Sequence, residues 1–171
     1  MGLPEIFISF QTAAVSAITR SARGVLAVAV KDATAGGAAE AAYKSLAEVP
    51  EDKFSPENYR LLKLAFLAAP TKVWVLRVGE DAEKTYQALE RLRFDWLAAP
   101  GLEDARVMSF IKTLRNGGRG VKAVVANATA PDCEGIVNLC VSGLTLEDGA
   151  MEAKDYAVRV AAVSYTHLRA H

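Results

Sequence analysis

The sequence is poor in the residues that most often bind metals or carry catalysis. Its 171 residues include two cysteines and two histidines, and both histidines, His167 and His171, fall within the last five positions. The cysteines, Cys133 and Cys140, form no CxxC pair and have no histidine nearby. Structural zinc requires four cysteine or histidine ligands, so we expect no metal and no cofactor. We expect instead two small buried thiols in a reducing compartment.

The sequence also lacks long apolar runs and any excess of charge. Its longest wholly apolar run, residues 25–30, is too short to span a bilayer. The amino terminus shows no basic segment followed by an apolar one, so we expect no signal peptide and synthesis in a cytoplasm. Twenty basic and twenty acidic side chains cancel, which gives no long-range attraction for nucleic acid or anionic lipid. A net charge near zero does remove one barrier to self-association.

Motifs for nucleotide binding and nucleophilic catalysis are lacking as well. Neither GxxxxGK[ST] nor a GxGxxG that follows a predicted strand occurs in the sequence. Cys133 stands between Asp132 and Glu134, and neighbouring carboxylates disfavour the thiolate that a nucleophile requires. We therefore expect a structural cysteine and no catalytic residues.

Strand and helix patterns alternate through the middle of the chain. Predicted strands cover residues 24–30, 72–78, 94–101, 121–127 and 135–141; predicted helices cover residues 55–68, 81–93, 102–116 and about 153–161. Because the connections are short, we expect an α/β fold with a mainly parallel sheet and flanking helices. The run FDWLAAPG, Phe94 to Gly101, is expected to be the central strand. The alanine- and glycine-rich residues 33–42 are predicted to form a mobile surface loop.

Polar side chains follow several of the predicted strands. They are Glu80, Asp81, Asp104, Asn127 and Asp132. A parallel sheet binds ligands at the carboxyl ends of its strands, so these oxygens could hold a hard cation such as magnesium. Carboxylates at helix starts more often complement the helix dipole, and we favour that interpretation. A ligand-binding or enzyme domain with a site at these strand ends is the alternative function.

Residues 1–20 are predicted to form an extended N-terminal arm. Ile6, Ile8 and Phe10 alternate with Phe7, Ser9 and Gln11, which gives a strand one apolar face. No turn follows that would fold this strand into a hairpin. Its partner is therefore either the sheet of its own domain or an adjacent subunit, and the residues alone favour neither.

Four segments of the chain carry a family resemblance. They are residues 3–32 (LPEIFISFQTAAVSAITRSARGVLAVAVKD), residues 55–79 (SPENYRLLKLAFLAAPTKVWVLRVG), FDWLAAPG with Phe110-Ile111-Lys112, and residues 121–138 (VKAVVANATAPDCEGIVN). Together they resemble the contractile tail sheath proteins of bacteriophages and prophages. DYAVRVAA, residues 155–162, resembles the helix after which this family continues. The alanine- and glycine-rich loop departs from the more polar loop expected in the family.

The resemblance implies a structural protein and not an enzyme. Such subunits polymerise as stacked rings around a tail tube and contract to drive it through the host envelope, without a cofactor. The implied partners are further copies of the subunit, the tail tube protein, and the baseplate and tail terminator proteins, with no nucleic acid and no membrane insertion. The implied location is the virion, after assembly in the bacterial host cytoplasm.

The resemblance also assigns a role to the arm, because family arms pair with strands of neighbouring subunits. The matching residues here are Glu5, Ile6, Phe7, Ile8, Ser9, Phe10, Gln11 and Thr12. The expected organisation is an arm over residues 1–20, a truncated α/β core over residues 21–162, and a non-native tail over residues 163–171. This tail, VSYTHLRAH, resembles a translated sequencing-library adapter, and without it the chain contains no histidine.

Overall fold

A computed structural model describes residues 24–127, 131–146 and 149–167 of the chain. The predicted arm therefore lies outside the described residues. The elements, in order, are β1 (Val25–Val30), β2 (Glu40–Tyr43), α1 (Pro56–Phe66), β3 (Lys72–Arg77), α2 (Ala82–Arg91), β4 (Trp96–Ala98), α3 (Asp104–Asn116), β5 (Lys122–Val125), β6 (Ile136–Asn138), β7 (Leu144–Leu146), β8 (Gly149–Met151) and α4 (Ala153–His167).

Six of these strands form one sheet in the order β2-β3-β1-β4-β5-β6. β1 pairs in parallel with β3 on one side and with β4 on the other, and β5 and β6 continue the parallel order. β2 pairs antiparallel with β3 at the edge. The predicted α/β fold with a mainly parallel sheet is confirmed.

Helices cover both faces of the sheet because strand side chains alternate between the faces. Leu26, Val28 and Val30 of β1 lie in one apolar cluster with residues of α1 and α4. Ala27 and Ala29 lie in a second cluster with residues of α2 and α3. Five consecutive residues of β1 are consequently buried, as expected for a strand covered on both faces.

The run FDWLAAPG contributes β4, which lies beside β1 at the centre of the sheet, as predicted. The regular strand is shorter than expected, since only Trp96–Ala98 pair with both neighbours. Pro100 has no N–H to donate to a ladder, and Gly101 turns toward α3. Trp96 and Leu97 point to opposite faces and are buried in different clusters.

Local sequence signals set the helix ends. Ser55 caps α1 by accepting a hydrogen bond from the Asn58 N–H, and Pro56 occupies the first helical position. α3 ends at Asn116 and is capped by Gly117, and Gly118 has a φ of 86°, a conformation that strongly favours glycine. The capping residues were predicted from sequence in both cases.

Residues 33–42 do not form a loop throughout, so this prediction is wrong in part. Glu40–Tyr43 pair with residues 73–76 of β3 as the edge strand β2. Alanine has low strand propensity, and the strand forms because β3 presents an open edge beside it. The β7–β8 hairpin was likewise not predicted.

The last helix, α4, extends to His167 and so includes part of the predicted non-native tail. Helix geometry does not test where residues 163–171 come from, and their adapter origin stays a prediction. Among the described helices, none is both long and apolar enough to cross a membrane.

Candidate functional site

The polar residues at the strand ends are distributed over separate local roles. The Asp81 carboxylate accepts a hydrogen bond of 3.0 Å from the Glu83 N–H and caps α2. Asp104 lies in the first turn of α3, where a negative charge complements the helix dipole. Glu80 and Asp132 are exposed. The favoured interpretation of Asp81 and Asp104 as helix-start charges agrees with this placement.

The backbone of Asn127, after β5, is hydrogen-bonded to the side chain of Asn138 in β6. Its N–H donates to the Asn138 side-chain oxygen at 2.9 Å, and its carbonyl accepts from the Asn138 amide. Among the described residues, no three histidine, cysteine or acidic side chains come close enough together to hold a metal ion. The structure therefore does not gather the five predicted strand-end residues into one cation site.

The crevice where a doubly wound sheet usually binds its ligand is occupied by the chain itself. Such a crevice lies at the carboxyl ends of neighbouring strands whose connections run in opposite directions, here β1 and β4. The Gly101 N–H donates to the Ala29 carbonyl at 2.9 Å. A Cβ added to Gly101 would lie 2.7 Å from the Lys31 nitrogen and 2.8 Å from the Val30 carbonyl carbon. Backbone thus packs directly on backbone at this point.

A surface groove of about 490 Å³ lies farther along the same edge, beside Glu80 and Asp81. Lys84 and Arg91 also line it, so cationic and anionic groups are mixed. Such a mixed lining does not present the oxygen-only environment that a hard cation selects.

A buried ion pair is the main polar feature that sequence reasoning missed. The Asp32 carboxylate follows β1, and the Arg77 guanidinium ends β3; their closest nitrogen and oxygen atoms are 3.6 Å apart. The Asp32 side chain is fully buried and that of Arg77 is 9% exposed. The parallel register places Val30 opposite Arg77, and this pairing brings together two charges that are 45 positions apart in the sequence.

Asp32 is held by backbone and side-chain donors in addition to Arg77. Its carboxylate accepts hydrogen bonds of 2.8–2.9 Å from the Thr34 N–H, the Ser55 N–H and the Asn58 side-chain amide. Burial alone would raise the pKa of Asp32, but the hydrogen bonds from Thr34, Asn58 and Ser55 outweigh it and hold that pKa well below its ordinary value. A carboxylate fixed in its ionised form is a poor general base, so this network is suited to structure.

Arg77 connects the network to the segment between β1 and α1. One guanidinium nitrogen donates to the Thr34 carbonyl at 2.8 Å and another donates to the Lys53 carbonyl. The guanidinium also stacks over the Phe54 ring, 4.6 Å from its centroid. The pair therefore fastens residues 32–58 to the carboxyl end of the sheet.

The prediction of two buried thiols is wrong for Cys140, which is exposed; Cys133 is half-buried. Both residues flank the short edge strand β6, where the chain is covered on fewer sides than in the central strands. The same region exposes Val137 and Val141 at 40% and 42%. The β6 end of the domain therefore offers apolar surface that the described residues leave uncovered.

The predicted intersubunit residues, Glu5 to Thr12, lie outside the described residues, and their role stays a prediction. The described part of the chain begins at Gly24, which leads directly into β1, next to the amino end of β4.

Comparison with protein family models gave no match. The chain is 30% identical, over 179 aligned positions, to the tail sheath protein of Clostridium phage phiCD119. The alignment covers 95% of this chain and 48% of the relative, so the chain spans about half the length of the curated relative that it matches. This relative is a tail sheath protein, so the resemblance to tail sheath proteins is confirmed.

Two solved structures share the fold. The sheath tail protein of Desulfitobacterium hafniense superimposes with a TM-score of 0.70 at 14% identity, over 94% of this chain and 62% of that one. The sheath tail protein of Listeria innocua gives a TM-score of 0.68 at 16% identity, over 84% of this chain and 56% of that one. At these identities the likeness concerns the fold.

Proposed function

Because the chain is a homologue of phage tail sheath proteins, we propose that it acts as a structural component of a phage tail sheath. The observation that carries the proposal is the 30% identity with a tail sheath protein over 95% of the chain. Two sheath tail proteins of solved structure share the fold of this chain, which is compatible with that role.

The polar groups of the domain are consistent with this structural role. Asp32 and Arg77 are committed to each other and to backbone groups. Gly101 fills the crevice between β1 and β4, where it packs on the backbone of Val30 and Lys31. The alternative, a ligand-binding or enzyme domain, gains no supporting observation from these contacts.

The finer parts of the proposal concern assembly and motion. Copies of the subunit polymerise as stacked rings around a tail tube, contract, and drive the tube through the host envelope. The stored energy lies in an assembly with two alternative packings, and no nucleotide is consumed. The partners are the tail tube, baseplate and tail terminator proteins, and assembly takes place in the bacterial cytoplasm before the sheath becomes part of the virion.

The arm connects neighbouring subunits in this proposal. Within residues 5–12, Ile6, Ile8 and Phe10 alternate with Phe7, Ser9 and Gln11. This gives a predicted strand one wholly apolar face, as an added strand needs when that face packs on a neighbour. We therefore assign the intersubunit role to this segment within an arm over residues 1–20, followed by an α/β core over residues 21–162.

Electron microscopy of the protein expressed from its complete gene tests both the sheath role and the role of the arm. We expect sheath-like tubes from the wild type, and folded protein without tubes after deletion of residues 1–18. The triple variant Ile6→Ser, Ile8→Ser, Phe10→Ser should act like the deletion. Phe7→Ser, which the alternation places on the opposite face of the predicted strand, should still form tubes.

The outcomes distinguish a failure of the sheath role from a failure of the role of the arm. A wild type that forms no tubes, even with its tail tube protein present, contradicts the sheath role. Tubes of normal length from the deletion variant contradict the role of the arm and leave the sheath role standing. Sequencing of the gene on longer DNA adds a further check, since a tail tube gene directly downstream supports a sheath and a metabolic operon favours an enzyme.

A further inference from the structure

Asp95 lies within FDWLAAPG, yet neither the core nor the strand ladder explains its carboxylate. This side chain stands directly before β4, at the amino end of the sheet. One of its oxygens accepts two backbone hydrogen bonds, from the Gly24 N–H at 2.6 Å and from the Val25 N–H at 2.9 Å. Hydrogen bonds to an ionised acceptor are short and stronger than those between neutral groups.

Gly24 is held from two sides. Its N–H is bonded to Asp95, and its carbonyl accepts a hydrogen bond of 3.1 Å from the Thr71 N–H, just before β3. Its φ of 105° is strained for any residue with a Cβ. The start of β1 is therefore joined to the segment before β4 through the Asp95 side chain and to the segment before β3 through a backbone hydrogen bond. The glycine conformation makes this geometry possible.

The strand that begins here, β1, is paired along both of its edges. β1 has six register pairs with β3 and three with β4, and both pairings are parallel. Tension applied at its amino end acts along the strand and is shared by these pairs together. A segment joined to Gly24 is thus connected to the centre of the domain.

We propose that Asp95 is a positioning residue that anchors Gly24 and Val25, the point at which the N-terminal segment joins β1. By holding the Gly24 and Val25 N–H groups, it sets the direction in which the chain before Gly24 leaves the domain and passes force from that segment into β1. The consequence for assembly rests on the proposed function of the arm; the anchoring itself rests on the geometry of residues 24, 25 and 95.

Amide hydrogen exchange measured by NMR tests the anchoring without reference to assembly. In Asp95→Ala we expect exchange at Gly24 and Val25 to accelerate by roughly tenfold or more, because two charge-assisted hydrogen bonds are lost. Amides of β5 should keep their protection. Asp81→Ala is the matched control, since Asp81 also caps a backbone N–H but at the opposite end of the sheet, beside α2; it should leave Gly24 and Val25 unchanged.

A second variant covers the case in which Asp95→Ala fails to fold. Asp95→Asn retains the size of the side chain and one acceptor oxygen but loses the charge, so exchange at Gly24 and Val25 should rise several-fold. Unaltered exchange at these two amides in a folded variant overturns the anchoring proposal.

Tube formation by the protein from its complete gene then tests the consequence. We expect Asp95→Ala to form fewer and shorter tubes than Asp81→Ala, although both remain folded. If the wild type forms no tubes, the sheath role fails while the exchange result still decides the anchoring. If Asp95→Ala forms normal tubes despite fast exchange at Gly24, the anchor has no part in assembly and the proposed force path is wrong.

Discussion

The buried pair of Asp32 and Arg77 gives the most demanding test of how this domain is held together. Replacing Arg77 with methionine keeps much of the side-chain volume but leaves the fully buried Asp32 carboxylate without its cation. Removing one partner of a buried pair typically costs about 3–5 kcal/mol. Asp32 retains its N–H donors from Thr34, Ser55 and Asn58, so we expect a loss near the lower end, about 3 kcal/mol.

Such a loss is a large part of the stability of a domain, which is commonly about 5–15 kcal/mol. For a chain of this size each kcal/mol shifts the melting temperature by roughly 2–4 °C, so Arg77→Met should melt about 6–12 °C below the wild type. Urea denaturation followed by circular dichroism gives the free energy, and a thermal scan gives the shift.

Arg106 and Glu83 provide the matched control. They also form an ion pair between two elements, α3 and α2, but their side chains are 52% and 54% exposed. An exposed pair contributes about 0–1 kcal/mol, so Arg106→Met should shift the melting temperature by only a few degrees. Equal losses in Arg77→Met and Arg106→Met would refute the reasoning, because burial would then make no difference.

The double variant Asp32→Asn, Arg77→Met isolates the free-energy cost of leaving one buried charge without its partner. With both charges removed, the loss should be smaller than the sum of the two single losses. An additive result would show that the two side chains act independently despite their contact.

The pH dependence of stability follows from the lowered pKa of Asp32. As the pH falls, this carboxyl protonates in the unfolded chain at its ordinary pKa of about 4, before it does so in the folded domain. Its contribution is therefore fully present above that pH and is lost as the pH falls toward the lowered folded value. Wild-type stability should decline more steeply below about pH 4 than that of Asp32→Asn, as measured by urea denaturation across this range.

Two further predictions concern local packing and exposure. Gly101→Ala should lower the free energy of unfolding by about 1–3 kcal/mol, because the added Cβ would press on the backbone of residues 30 and 31. The control is Gly79→Ala, just after β3, where an added Cβ meets nothing within 4 Å. It should cost less than about 1 kcal/mol, since surface substitutions typically change stability by about 0.5 kcal/mol. Equal melting temperatures for these two variants would contradict the close approach. A maleimide should label the exposed Cys140 in the native protein several-fold faster than the half-buried Cys133, as read by mass spectrometry; equal rates would contradict the difference in burial.

Local chemistry in the sequence was sufficient for the framework of the fold. Residues 25–30 are wholly apolar and follow Gly24, residues 72–77 have an apolar centre between Pro70 and Gly79, and they form β1 and β3. Ser55-Pro56 and Gly117-Gly118 mark helix ends because caps act on neighbouring backbone groups. The alternation of these patterns predicted the parallel sheet, and the segments resembling tail sheath proteins predicted the family of its curated relative.

Only the tertiary structure decided what depends on distant residues. Glu40–Tyr43 form a strand because β3 lies beside them, and Asp32 meets Arg77 because β1 and β3 are paired in one register. The same holds for FDWLAAPG: its apolar run indicated a central strand, but the hydrogen bond from the Gly24 N–H to the Asp95 carboxylate appeared only when β4 was placed beside Gly24. A sequence pattern reports the preferences of neighbouring residues, whereas these contacts arise between strands brought together by the folding of the whole chain.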